Sequence, residues 1–302
     1  MSAQPPPLAR ALIDRAAGER LRAGLLDDAR ADPAARVLVV RGDEAPLADP
    51  SRDATALQFA AVSEIPDGAV WAFLGRDGAG PVLCAAFAAG APDPVAAPGG
   101  WAGLREVGGD LDDADAGVFV EALSLARWLI EAPHCPACGA LAEVETAGWS
   151  RRCTACGREH FPRTDPAVIV AVESEDGERL LLGSNALWGQ DRYSCFAGFV
   201  EAGESLEAAV AREVEEESGI RVASSSYRGS QAWPYPRSLM LGFRARAVAD
   251  RDARADGEEI VQVRWFERAE IRVAFAGGSD VTLPGSASIA HALIREWAEE
   301  RE

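Results

Sequence analysis

The chain has 302 residues, with 30 Lys and Arg against 48 Asp and Glu, for a formal net charge of −18. That length suggests two domains with cores of their own, and the acidic balance argues against a general nucleic-acid binder, which normally presents a basic face. No apolar run is long enough to span a bilayer. The N-terminus, with Pro5, Pro6, Pro7, Asp14 and Glu19, matches neither a secretory signal nor a transit peptide, so the expected location is cytoplasmic.

Residues 1–30 read as a tip and a short helix. Between Arg36 and Phe87 the runs VLVV, ALQFAAV, AVWAFLG and PVLCAAF alternate with Gly, Asp and Pro turns and predict short strands. An Ala/Pro/Gly-rich loop over 88–100 leads to an amphipathic helix over about 113–132, ended by Pro133. Residues 1–132 thus form a small α+β domain with no catalytic motif.

Cys135-Pro-Ala-Cys138 and Cys153-Thr-Ala-Cys156 follow, a CxxC pair at close to zinc-ribbon spacing. Four thiolates close a tetrahedral shell and leave no position for water, so one structural Zn²⁺ per chain is expected in a ribbon over 133–162. Without a secretory signal, disulfides are disfavoured. Cys84 and Cys195 lie in apolar runs and read as buried bystanders. His134 reads as a surface residue or a spare ligand. Arg151, Arg152, Arg158 and Arg163 surround the second Cys pair, as solvated surface or facing a phosphate.

The domain over 163–302 opens with strands AVIVAVES and ERLLLGS around the turn Asp176-Gly177, and RYSCFAGF leads into a helix. Strands near 222–232, 238–248 and 259–266 and a helix over about 286–299 complete it. A mixed sheet between helices makes an α/β/α sandwich. The whole chain is therefore α+β: this sandwich, preceded by the ribbon and the small N-terminal domain.

Residues 198–220, GFVEAGESLEAAVAREVEEESGI, carry the most chemistry. Ser205 is placed to cap a helix and Gly219 to end it in the left-handed conformation. Leu206, Val210 and Val214 form an apolar stripe. Glu213, Glu216 and Glu217 share another face, at i, i+3 and i+4. Three clustered carboxylates repel unless a divalent cation neutralises them, and hard oxygen ligands suit Mg²⁺ or Mn²⁺. Downstream, Ser230-Gln-Ala-Trp-Pro-Tyr-Pro-Arg-Ser238 is a proline-stiffened aromatic loop, able to form a wall for a flat heterocycle.

The stretch from Gly198 to Ile220 resembles the signature of the Nudix hydrolases with no position missing. Ser230–Ser238 resembles the SQPWPFPxS array of the NADH pyrophosphatase branch, with Ala232 in place of a proline and Tyr235 in place of a phenylalanine. A zinc ribbon just before the Nudix-like domain is the arrangement of that branch. The resemblance implies metal-dependent hydrolysis of NADH or NAD⁺ to a nicotinamide mononucleotide and AMP, with NAD-capped RNA as a related substrate. It implies Mg²⁺ or Mn²⁺ held by Glu213, Glu216, Glu217, the Ala197 carbonyl and Glu259, with Glu258 as a rival. It also implies a catalytic base at Glu213 or Glu216, and an Arg212–Glu204 pair. Substrate contacts are implied for Arg105, for Gln231, Ala232, Trp233, Pro234, Tyr235, Pro236, Arg237 and Ser238, and for the backbone at Ala290. Phe161 and Phe199 are implied as stacking rings contributed by different subunits of a homodimer. Gly148 stands where the branch has a carboxylate. ADP-ribose or another nucleoside diphosphate derivative as substrate, and a non-catalytic zinc-ribbon adaptor or nucleotide sensor, are the alternative readings.

Overall fold

The computed structural model describes residues 6–10, 12–51, 54–189 and 191–300. The chain divides into two compact units. The first holds Arg10–Thr164 with Trp233–Arg237, and the second holds Asp165–Ala232 and Ser238–Glu302 with Met1–Ala9. The N-terminal stretch and the ribbon, expected as separate domains, share the first unit. Among the described residues no helix is long and apolar enough to cross a membrane.

The first unit runs α1 (Leu25–Ala31), β1 (Arg36–Arg41), β2 (Glu44–Pro46), β3 (Val70–Arg76), β4 (Pro81–Phe87), β5 (Trp101–Gly103), α2 (Leu104–Val107) and α3 (Asp113–Glu131). Its sheet has the order β3-β4-β1-β2-β5, with β1 and β4 parallel. ALQFAAV does not become a strand. It makes isolated bridges, Leu47 with Leu57 and Val37 with Ala60, and then a 3-10 turn at Val62–Glu64. The Leu57 N–H donates to the Asp115 carboxylate on α3 at 2.8 Å, which takes one donor out of any ladder. β2 and β5 are too short for a period-2 pattern to reveal. The ribbon adds an antiparallel sheet of β6 (Ala142–Glu145), β7 (Ser150–Cys153) and β8 (Glu159–His160).

The second unit runs β9 (Asp165–Glu173), β10 (Arg179–Asn185), β11 (Phe196–Phe199), α4 (Leu206–Ser218), β12 (Val222–Trp233), β13 (Ser238–Ala247), β14 (Ile260–Glu267), α5 (Arg268–Phe275) and α6 (Ile289–Glu299). The sheet order is β12-β13-β9-β10-β14, with β11 also paired to β9. Alternation along β9 builds two cores. Val168, Val170 and Val172 pack with Val210 and Val214 of α4. Ile169 and Ala171 on the other face pack with Ile271 of α5 and with Ile294 and Trp297 of α6. This is the α/β/α sandwich read from the sequence. α5 is additional: its N-terminus is closed by the Glu267 N–H donating to the Glu270 carboxylate at 2.9 Å. RYSCFAGF pairs continuously only over β11; before it Ser194 bridges Gly183 and Arg192 bridges Thr282.

Candidate active site

The box helix α4 is fixed at both ends as its sequence predicts. Ser205 Oγ accepts from the Ala208 N–H at 3.2 Å, and Gly219 takes the left-handed conformation at φ 68°. Val210 and Val214 are fully buried, which brings the adjacent flank of the helix, with Glu213 and Glu217, against β11. Gly198 on β11 leaves room for the Glu213 carboxyl: a Cβ would lie 2.0 Å from its carboxyl carbon.

Arg212 ties the loop to the helix. Its Nε and Nη2 donate to the two oxygens of Glu204 at 2.8 and 2.9 Å. Nη1 reaches Glu213 at 2.8 Å and Glu216 at 3.0 Å, and Nη2 also donates to the Phe199 carbonyl. The Arg212 bonds, helped by the Glu201 N–H, hold the Glu204 carboxyl down at about 2. A bidentate guanidinium–carboxylate pair gives direction as well as attraction.

Glu217 is 5% exposed, accepts from the Ala197 N–H, and keeps a buried Oε2 with no partner. Burial first, then the nearby charges of Glu259 and Glu213, push its carboxyl up to about 8. Burial likewise raises Glu213, with Glu216 and Glu259 adding to the rise and Arg212 opposing it. Glu259, immediately before β14, is the member of the Glu258–Glu259 pair whose charge reaches Glu213 and Glu217. Asn185 Nδ2 donates to Glu259 Oε1 at 3.4 Å, and the Asp256 carboxylate collects the N–H groups of Glu258, Glu259 and Ile260. Neither Asn185 nor Asp256 was read from the sequence. Glu216 is the outer member, 60% exposed and held by Arg212. A buried, orphaned carboxylate oxygen among like charges fits a divalent cation with oxygen ligands.

Ser230–Ser238 is shared between the units. In the second, Gln231 is buried and donates to the Ala287 carbonyl at 2.8 Å, while its Oε1 accepts from the Leu8 N–H. Ser238 is buried, and Ala290 is buried with its N–H donated to the Ser288 cap. In the first unit, Trp233 and Tyr235 meet edge to face at 5.2 Å. The Arg105 guanidinium lies 3.9 Å from the Tyr235 ring, and the Arg105 backbone N–H donates to the Tyr235 hydroxyl at 3.3 Å. The resemblance implies substrate contacts for these three residues from two distant segments, and the structure brings them together. The segment expected as one loop is strand through Trp233: Ala232 lies on β12, only 234–237 form the turn before β13, with Pro234 in it, and Pro236 and Arg237 border a cavity that Phe161 also lines. Phe161 is 49% exposed in the first unit and Phe199 53% exposed in the second. Gly148 adopts φ 97°, and a Cβ there would strike the Ala72 Cβ at 2.4 Å, so a carboxylate has no room at this position.

Cys135, Cys138, Cys153 and Cys156 bring their sulfurs within 4.8 Å of one another, a closed four-thiolate set for zinc. Among the described residues this is the one group of ligating side chains so tightly gathered; the box carboxylates stand wider apart, as mutually repelling anions do. The histidine that meets the sulfurs is His160, whose Nε2 lies 3.1 Å from Cys135 Sγ, rather than His134. Its place on β8, paired to β7, brings it there, and its position after the last cysteine gave no spacing signal.

Three family models match the chain: the NUDIX domain over 163–284, the NADH pyrophosphatase zinc ribbon domain over 131–161, and the NADH pyrophosphatase-like rudimentary NUDIX domain over 34–128. The NAD-capped RNA hydrolase NudC of Mycobacterium tuberculosis is 39% identical over 302 residues, covering 97% of this chain and 95% of that protein. The NAD-capped RNA hydrolase NUDT12 of Homo sapiens is 38% identical over 197 residues, covering 62% of this chain and 42% of that protein. Among solved structures, a NUDIX hydrolase from Nitrosomonas europaea matches with a TM-score of 0.42 and 24% identity, over 55% of this chain and 91% of that chain. With the box, the ribbon and near full-length identity in agreement, the chain belongs to the Nudix hydrolase family, in its NADH pyrophosphatase branch.

Proposed function

We propose that this chain hydrolyses the diphosphate bond of NADH and NAD⁺, giving a nicotinamide mononucleotide and AMP, and that it removes NAD caps from RNA 5′ ends by the same chemistry. The observation that carries this reading is Glu217, buried with an unpartnered oxygen between Glu213 and Glu259, in a chain 39% identical to an NAD-capped RNA hydrolase. Glu213, Glu216, Glu217, Glu259 and the Ala197 carbonyl would hold Mg²⁺ or Mn²⁺, which when bound polarises the phosphoryl group and activates water. Glu213 or Glu216 takes the proton of the attacking water, both kept in place by Arg212. The water oxygen becomes bonded to one phosphorus, and the bridging oxygen leaves on the other phosphate.

Arg105, Trp233 and Tyr235 form a wall for a flat ring, with the rest of Gln231–Ser238 and the backbone at Ala290 completing the substrate contacts. Phe161 and Phe199, both half exposed, stack on substrate across a homodimer. The ribbon zinc is structural, one per chain, and the enzyme works in the cytoplasm. The domains follow the boundaries 1–132, 133–162 and 163–302.

The test is product analysis after incubation with NADH, NAD⁺, ADP-ribose and ATP in Mg²⁺ or Mn²⁺, beside Glu217→Gln. AMP plus a nicotinamide mononucleotide, lost in the variant, is the expected result. Turnover of ADP-ribose or ATP alone would overturn the substrate assignment.

A further inference from the structure

Among the described residues four charged side chains are buried: Glu121, Arg151, Glu173 and Glu217. Two face cations within the fold. Glu121 faces Arg15 and Arg20 at 3.5 and 3.8 Å, and Glu173 faces Arg244 and Arg246 at 3.3 and 2.7 Å. Glu217 lacks a counter-charge and belongs to the proposed cation site. Arg151 is the remaining one, and its sign is opposite.

Arg151 is 5% exposed. Its Nη1 and Nη2 donate to the carbonyls of Ala142 and Leu129 at 2.7 and 2.6 Å, while Nε is buried without a partner. The carbonyl dipoles satisfy hydrogens but supply no full negative charge. No described carboxylate forms an ion pair with it, and burial alone lowers its affinity for its proton. A buried guanidinium without an anion is unfavourable unless something brings the anion.

The space to receive one is present. Arg151 lines a cavity of about 370 Å³ bounded by the last turns of α3, the ribbon and the Trp233–Arg237 segment, a volume within the range of small-ligand sites. Arg163 lines it as well, with no ion pair or hydrogen bond among the described residues. Arg127 also lines it but is already paired with Asp43 and Glu131. The Trp128 ring, 5.4 Å from the Arg151 guanidinium, offers an aromatic wall. In a chain of net charge −18, this is a locally basic cavity with an aromatic face. Such a pairing suits a phosphate followed by a base, the recognition mode of single-stranded nucleic acid.

We infer that the cavity of Arg151, Arg163 and Trp128 binds a nucleotide of the RNA strand that follows the NAD cap, its phosphate at the two guanidinium groups and its base against Trp128. The inference rests on the capped-RNA part of the proposed function. Phe161, Pro236 and Arg237, proposed above to touch substrate, border the same cavity. None of the box carboxylates does.

The experiment uses the full-length, zinc-loaded chain. Binding of an uncapped 5′-phosphorylated oligoribonucleotide and of AMP is measured without added Mg²⁺ or Mn²⁺, for wild type, Arg163→Gln, Trp128→Ala and Arg151→Met. Arg163 is exposed, so its variant tests the site even if Arg151→Met fails to fold. The oligoribonucleotide is expected to bind about tenfold more weakly in Arg163→Gln, with a salt dependence reduced by about one phosphate contact. The same variant should lower kcat/KM on NAD-capped RNA about tenfold and leave NADH hydrolysis unchanged. Equal loss on both substrates, or no loss on capped RNA, overturns the inference. AMP binding weakened by the same substitutions, with no oligoribonucleotide binding, would assign the cavity to free nucleotide and overturn the strand assignment. Absence of NADH turnover in wild type would strike the underlying function instead, a separate readout.

Discussion

Both units present a helix to a mixed sheet with a central parallel pair, β1 with β4 in one and β9 with β13 in the other. Each helix carries a buried glutamate. On α4, Glu217 lies among the carboxylates Glu213 and Glu259. On α3, Glu121 lies between Arg15 and Arg20. Burial is the first cause of a raised carboxyl in both, to about 8 and about 7 respectively. What differs is the sign of the neighbours. Like charges around Glu217 leave a demand for a cation from outside. Arg15 and Arg20 around Glu121 relieve part of the burial cost from within and are tied to the helix, with Arg20 also stacked 3.5 Å over Trp149. A buried carboxylate is a candidate catalytic group when its surroundings worsen its charge, and a staple when they relieve it.

The largest expected effect separates the two glutamates. Glu217→Gln should lower NADH hydrolysis by about 10³-fold, while Glu121→Gln leaves it within about twofold. Comparable losses in both, measured by AMP release, would erase the distinction. Gly198→Ala comes next. Its new Cβ must displace the Glu213 carboxylate, and a displacement near 1 Å should cost about 10²-fold in kcat with the fold intact by circular dichroism. Normal activity would mean that the close approach of β11 to Glu213 has no functional role.

On the other side of the comparison, Arg20→Met removes the less exposed of the two cations facing Glu121, 12% exposed against 52% for Arg15. Breaking a buried pair from one side should destabilise the protein by about 3 kcal/mol at pH 8, read from the urea midpoint. The loss should shrink at pH 5, where the Glu121 carboxyl is largely protonated. A penalty equal at both pH values would assign the effect to the lost Trp149 stacking alone.

Much of this contrast was legible in the sequence, but unequally. The spacing of Glu213, Glu216 and Glu217, the cap at Ser205 and the stop at Gly219 are local in sequence, so helical periodicity places them. The four cysteines are likewise local pairs. Glu121 sits in the run VFVEALSLA, where periodicity marks a core face but cannot name its partners. Those come from a segment about a hundred residues earlier, around the short 3-10 turn at Ala17–Glu19. Asn185, Asp256 and His160 also reach the sites by strand pairing or turns, through contacts with no fixed spacing. ALQFAAV misled because its apolar content was right for a strand while Asp115 had claimed one of its backbone donors.

The finest discrimination is by pH. The Glu121 carboxyl stands at about 7 in the folded chain against an ordinary value of 4.5. The folded state therefore binds this proton more tightly than the unfolded state. Its contribution to stability is complete below about pH 4.5 and is lost as pH rises through about 7. Cys84, pushed up to about 12 by burial and then by the Glu121 charge, stays protonated throughout. Between pH 5 and pH 8 the wild type should lose of order 2 kcal/mol that Glu121→Gln does not. The difference between the two chains isolates this carboxyl from every group that both share. Identical pH profiles would mean that Arg15 and Arg20 compensate Glu121 fully in solution, and that the two buried glutamates differ even more than their protonation suggests.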